Sequence, residues 1–155
     1  MNSLVMDASV LIAALSPKEV RHIESRDFIK ELHRRGVLLK EPAQFLLELY
    51  AVMLRSTEAA RYGRELWFLT EENRIQMNLI ALDEVEIQRF LLWMSSAMAG
   101  QSPTRRGADL AYACVAKKRG LPLVTLDNGL HKFAAAGLEV YSPSDLLAIW
   151  RKDKG

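Results

Sequence analysis

Apolar residues along this chain come in short runs, broken by single charged residues, glycine and proline. Leu4-Val5-Met6 is a continuous apolar run of the kind shown by a strand buried on both faces, and residues 3–6 are predicted as a first strand stopped by Asp7. Ser9–Leu15 reads as a short helix closed by Ser16-Pro17. A second helix is expected from about residue 19 to 35, with Gly36 in the C′ position. Residues 37–40, VLLK, read as a second strand, and Pro42 is expected in the first turn of a helix over 42–55. A helix with a charged face is expected over 56–72, and the weak alternation of RIQMNLIAL predicts a strand over 74–82. Asp83 is placed to cap a helix that ends at Gly100. A breaker-rich loop, 101–107, then leads to a helix from about 105 to 119, ended by Gly120. LPLVTL, 121–126, is a strand followed by the turn tripeptide DNG. Residues 130–136 read as helical, Gly137 breaks them, LEVY is a last strand, and SPSDLLAIW is a capped terminal helix.

Short apolar strands thus alternate with helices, and no pair of strands is joined by a tight hairpin turn. That predicts an α/β fold: a single domain over 1–155 with a mainly parallel sheet flanked by helices on both faces. Ligands of such sheets gather outside the carboxyl ends of the strands, and Asp7 lies at that edge.

Composition narrows the function only slightly. Half of the 155 residues are hydrophobic and 26% are charged, an ordinary globular balance. A net charge of +2 is too mild to mark a nucleic-acid binder by itself, although local distribution counts for more than the sum. Cys114 is the single cysteine, so an internal disulfide is impossible, and it reads as a small core residue in LAYACVA. The three histidines show no ligand spacing. No signal peptide is recognisable, and the longest apolar stretch, Phe45–Leu54, is interrupted by Glu48 and falls short of the ~20 residues that span a bilayer. A cytoplasmic protein without a membrane segment is the expectation.

Four acids carry the candidate chemistry. Asp7 and Asp127 each end an apolar strand, and each has a hydroxyl two positions away, Ser9 after Asp7 and Thr125 before Asp127. Taken singly, each aspartate is explained by capping a helix or starting a turn; two such strand ends in one small domain ask for more. Glu48 lies on a helix that is apolar almost all round, on one narrow face with Gln44 and Arg55. A helix this apolar should be buried, so Glu48 faces either a thin solvent strip or a polar pocket. Asp109 stands in the first turns of its helix, where an acid favours the macrodipole by about 0.3–1 kcal/mol; the small apolar run after it suits packing at the sheet, which would turn the acid toward the same edge. If the four converge, their repulsion in a low-dielectric hollow is severe and a divalent cation relieves it. An all-carboxylate, oxygen-only set suits Mg²⁺ or Mn²⁺, and such an ion suits phosphodiester hydrolysis by activating water and stabilising the leaving oxygen.

SLVMDASVLIAAL, the Glu48 helix, GADLAYACVAKKRGLPLVTLD and the closing GLEVYSP together resemble a PIN domain and, more narrowly, the VapC toxins of bacterial and archaeal toxin–antitoxin pairs, over essentially the whole chain. The resemblance implies four or five parallel strands and a Mg²⁺-dependent endoribonuclease acting on structured RNA such as tRNA or rRNA. It puts the family's acids on Asp7, Glu48, Asp109 and Asp127, with Thr125 as the hydroxyl of a T-x-D motif and Ser9 beside the first acid. It also implies a homodimer, and a small antitoxin whose C-terminal segment approaches the acids, often with an arginine. The chain departs from the pattern in reading DLAYACVA after the third acid and in carrying Asn128 directly after Asp127.

An acidic pocket repels phosphate, so a basic rim has to draw RNA in. Arg105, Arg106 and Lys132 are the candidates, whereas Lys117, Lys118 and Arg119 read as C-terminal helix charges on a solvated face. Two other readings stand beside the toxin: a PIN-domain nuclease of RNA maturation without an antitoxin, and a non-catalytic α/β binding module whose acids are caps.

Overall fold

A computed structural model describes residues 1–55, 75–99 and 107–152. Within them lie five strands, β1 (Ser3–Met6), β2 (Leu38–Pro42), β3 (Gln76–Ile80), β4 (Leu123–Val124) and β5 (Val140–Tyr141). The helices are α1 (Ala8–Leu15), α2 (His22–Arg35), α3 (Gln44–Arg55), α4 (Glu84–Ala97), α5 (Gly107–Arg119), α6 (Asn128–His131) running into a 3₁₀ turn over Lys132–Ala136, and α7 (Pro143–Lys152). The expected helix over 56–72 and the loop carrying Arg105 and Arg106 lie outside the described residues.

The strands form one sheet in the order β3-β2-β1-β4-β5, and every pairing is parallel. From β1 the chain steps outward to β2 and β3, then returns across β1 to build β4 and β5 on its other side. Crossovers between parallel strands are right-handed as a rule, which sets the connections of the two halves of such an order on opposite faces. Their divergence opens a crevice between the carboxyl ends of β1 and β4.

Burial follows the apolar runs. Leu4, Val5 and Met6 are fully buried, as a central strand covered on both faces requires. They share a core with Val10 and Leu11 of α1, Phe28 and Leu32 of α2, Phe45 and Leu49 of α3, and Tyr112–Ala116 of α5. Trp150 stacks on Phe28 with ring centroids 5.6 Å apart, under the Arg35 guanidinium, so the terminal helix is fastened to α2. Trp93 joins Phe90 and Phe133 and carries the Lys117 ammonium 4.5 Å above its ring. Lys118 pairs with Glu86. Two of the three charges expected to be plain surface thus tie α5 to α4. Cys114 is buried.

Helix boundaries have local causes. Gly36 closes α2 at φ 62°, and its N–H returns to the carbonyls of Leu32 and His33. Asp83 and Glu86 form a reciprocal capping box at the start of α4. Pro42 departs from expectation: it is the last residue of β2, opposite Ile80 of β3, and α3 starts only at Gln44. The strand expected over 121–126 is paired only at Leu123 and Val124. Nor is α3 buried all round, since Leu47 is 71% and Leu54 79% exposed. Among the described residues no helix is long and apolar enough to cross a membrane.

Candidate active site at the carboxyl edge of the sheet

Asp7 is the residue that follows β1, and it is only 5% exposed. Its backbone N–H still donates to Val124 of β4, so it sits at the central crevice. The side chain caps α1, with Oδ1 accepting from the Ser9 N–H at 3.3 Å. Its other oxygen, Oδ2, accepts from Ser9 Oγ at 2.5 Å and from Thr125 Oγ1 at 2.7 Å. Cap and clamp therefore coexist on one carboxylate. Burial raises its pKa above the usual aspartate value; the donors from Ser9 and Thr125 oppose this, and the charge of Asp109 adds to it. All its bonded donors are neutral.

Thr125 joins the two strand ends. Its hydroxyl donates to Asp7 and accepts the Asp127 N–H at 2.9 Å, while the Leu126 N–H donates to Ser9 Oγ at 3.3 Å. Asp127 itself caps α6, with Oδ1 accepting from the Gly129 N–H at 2.5 Å. The turn reading of DNG is realised, and Asp127 is linked to Asp7 through Thr125.

Glu48 and Asp109 meet the site from the helices. Tyr112 of α5 lies one turn beyond Asp109 and so on the same side of the helix. Its hydroxyl donates to Glu48 Oε2 at 2.6 Å, and its ring packs edge-on against Phe45 of α3. Glu48 is thereby fastened toward the side of α5 that carries Asp109. Burial, the Glu48 hydrogen bond, and the charges of Glu48, Asp7 and Glu41 all push the Tyr112 phenol far above the ordinary tyrosine range, so it stays protonated. Glu48 and Asp109 are both half-buried, which fits a polar pocket better than an open stripe.

A fifth acid was not foreseen. Glu41 of β2 is wholly buried; Oε1 accepts the Met6 N–H at 2.8 Å, and Oε2 has no hydrogen-bond partner among the described residues. The β1–β2 pairing runs from Ser3↔Leu38 to Leu4↔Leu39, after which β2 continues alongside β3. Glu41 thus supplies by side chain the acceptor that the diverging strand no longer offers to Met6. Burial drives its carboxyl well above the usual glutamate pKa; the Met6 N–H opposes the shift, and the charge of Asp7 reinforces it. Sequence carried one signal for it, a carboxylate at the end of an apolar strand as at Asp7. Assigning Pro42 to a helix start hid it.

Of the basic candidates, Lys132 is exposed in the 3₁₀ turn after α6, and Arg105 and Arg106 lie outside the described residues. Among the described residues no three or more His, Cys, Asp and Glu side chains form a cluster able to cage a metal ion. What they do form is an oxygen-only edge in which a buried carboxylate, Asp7, is met by neutral donors, with an orphaned carboxyl oxygen of Glu41 close enough for the two charges to be felt. That donor chemistry fits a small hard cation which keeps much of its water and takes only one or two carboxylates directly.

An open parallel sheet whose central strand ends in a buried acid, with further acids presented from two neighbouring helices, defines an α/β domain with an acidic crevice at its carboxyl edge. The model of the PIN domain matches residues 4–136, and the chain belongs to the PIN domain family. Its fold is shared with several solved structures. VapBC2 of Rickettsia felis, bound to a promoter DNA fragment, superposes with a TM-score of 0.64 at 15% identity, over 90% of this chain and 98% of that one. The DNA-bound VapBC of Salmonella typhimurium gives 0.64 at 18% identity, over 92% and 99%. VapC20 of Mycobacterium tuberculosis, a Sarcin-Ricin loop cleaving toxin, gives 0.60 at 14% identity, over 87% and 95%. Curated protein sequences yield no match.

Proposed function

We propose that this protein is a divalent-metal-dependent endoribonuclease, the toxin of a VapBC-type toxin–antitoxin pair, cleaving structured RNA. The observation that carries the reading is Asp7: a carboxylate buried at the end of the central strand, clamped by Ser9 and Thr125, electrostatically coupled to Asp109, and meeting no cation among its bonded partners. Family membership supports the nuclease class. The likeness to VapBC complexes supports a cognate antitoxin partner, and the likeness to an RNA-cleaving toxin supports an RNA substrate.

Asp7, Glu48, Asp109 and Asp127 are the residues that would hold Mg²⁺ or Mn²⁺, in part through water. The bound ion would activate a water molecule and stabilise charge on the phosphoryl oxygens. The chain's own contribution is positional. Ser9 and Thr125 fix the Asp7 carboxylate, with Oδ1 taking only the long amide contact and Oδ2 taking both hydroxyls. Thr125 couples that carboxylate to the Asp127 turn, and Tyr112 holds Glu48 against the Asp109 side of α5. Lys132, with Arg105 and Arg106, would draw the phosphate backbone toward an edge that otherwise repels it. In the inhibited complex an antitoxin arginine would take the place of the cation among the acids, and a homodimer would be the unit that the antitoxin holds.

The test is cleavage of total RNA by wild type and by Asp7→Asn, each with Mg²⁺ and with EDTA. Cleavage by wild type in Mg²⁺ alone is expected, with folded Asp7→Asn at least about a thousandfold slower, a loss of ~4 kcal/mol of transition-state stabilisation. Equal cleavage by the variant, or by wild type in EDTA, would remove the proposal.

A further inference from the structure

The two edges of the sheet are not alike. At one, β5 is two residues long and the chain turns from it almost directly into α7. At the other, β3 is five residues long, and from Ile75 to Leu82 the chain carries no charge and no proline. Natural sheets blunt an edge by brevity, charge or proline, or cover it; β3 has none of the first three. The register shows which backbone groups it presents. The Ala43 N–H donates to the Ile80 carbonyl, so Ile80 faces β2, and Asn78 and Gln76 face it too. The intervening residues turn the other way. The N–H and C=O of Met77 and Leu79 therefore point out of the sheet, and among the described residues nothing bonds to them. Side chains alternate as well: Met77 and Leu79 share one face with Leu39 and Glu41, and Gln76 and Asn78 share the other with Leu38 and Lys40. Gln76, Asn78 and Leu79 are all exposed, Leu79 by 47%.

We propose that β3 pairs antiparallel with β3 of a second copy of this chain, across a two-fold axis at Asn78, joining two sheets into one. A two-fold contact requires a surface complementary to itself, and this segment is. Met77 stands opposite Leu79 of the other copy, and the two exchange both N–H···O=C bonds; the axis repeats the pair, so every outward group of Met77 and Leu79 is satisfied. The same pairs set apolar side chain beside apolar side chain, and Asn78 meets Asn78 of the other copy, amide to amide. No like charges come into opposition, because the segment has none. Only five residues a side pair, which places the contact at the small end of specific interfaces, so a dimer in exchange at micromolar concentration is expected. This names the interface of the homodimer invoked above and is independent of the acids' chemistry, so its failure leaves the nuclease reading standing.

The experiment is sedimentation of the full chain across the micromolar range. Wild type is expected to pass from monomer to dimer. Asn78→Lys sets two like charges directly opposite each other. Leu79→Pro deletes an N–H that β2 does not use, a position where an edge strand tolerates proline. Each should raise the dissociation constant about tenfold or more, with little change in Tm at dilutions where wild type is monomeric. Geometry is read separately by Asn78→Cys. Residues facing across such a non-hydrogen-bonded position have Cα atoms ~4.5 Å apart, within disulfide reach. Diamide should therefore link this variant into a covalent dimer and leave Val20→Cys, at a site 98% exposed, unlinked; the native Cys114 is buried. Wild type that stays monomeric throughout, or a dimer that both substitutions leave intact, would overturn the inference. So would failure of Asn78→Cys to cross-link where wild type is dimeric, or amide protection at Met77 and Leu79 that appears only when a different protein is added.

Discussion

At the scale of single residues, the site rests on hydroxyls that compensate a buried charge. Thr125→Val keeps the shape of the side chain but removes both the donor to Asp7 and the acceptor of the Asp127 N–H. The expected cost is about 1–3 kcal/mol, visible as a fall of several degrees in Tm, whereas Thr125→Ser should recover most of it. Glu41 gives a prediction of opposite sign. Burial holds its carboxyl well above the ordinary glutamate pKa of 4.5, so the native state holds its proton more tightly than the unfolded chain does. Stability linked to this group is therefore full below pH 4.5 and is lost as pH rises through the folded pKa. Glu41→Gln keeps an oxygen for the Met6 N–H and carries no charge. Melting curves of the metal-free protein across pH should show it more stable than wild type near neutrality, with the gap closing in acid. Of these residues, Asp7, Ser9 and Thr125 were legible in the sequence because hydroxyls two positions from strand-end acids are a local pattern. Glu41 and Tyr112 were not, because their roles depend on contacts 35 and 64 residues away.

At the scale of elements, boundaries followed wherever a residue had one dominant local effect. Asp83 caps α4 and Gly36 ends α2 as their chemistry dictates, and neither depends on the rest of the fold. Asp83→Ala, at an exposed capping box, should cost ~1 kcal/mol and leave metal binding unaltered, a separation that thermal melts with and without Mn²⁺ would register. Pro42 misled because proline suits both a helix start and a strand end. The register of β2 against β3, a tertiary matter, assigned it to the strand. Strand length at 121–126 was overestimated for a similar reason: six apolar-rich residues permit a strand, but how many pair is set by the neighbours, and β5 offers only two partners. The exposed Leu47 and Leu54 of α3 show that an apolar helix declares a need for cover without naming what supplies it.

For the molecule as a whole, the alternation of apolar runs and helices was enough to predict a parallel α/β domain, and the order β3-β2-β1-β4-β5 is what turns that class into a site. Only by returning across β1 does the chain bring Thr125 to Asp7, and no periodicity in the sequence reports such a crossing. A cation that binds the folded edge and not the unfolded chain must stabilise the fold by mass action, by ~2.7 kcal/mol at about 100 times its Kd, and so raise Tm. Mn²⁺ is accordingly expected to shift the wild-type melt upward by several degrees and to leave that of Asp7→Asn nearly still; a purely structural set of caps would show no shift in either.

The bond between Thr125 and Asp7 spans 118 positions of the chain. During translation, the acid emerges from the ribosome long before its clamp. Until the fourth strand has been made and docked, a nascent polypeptide carries the start of the acidic edge but not a finished one. If the edge cuts RNA as proposed, a cell that makes this protein is shielded from each copy until the segment carrying Thr125 has been made, and truncated products ending before Thr125 should be harmless.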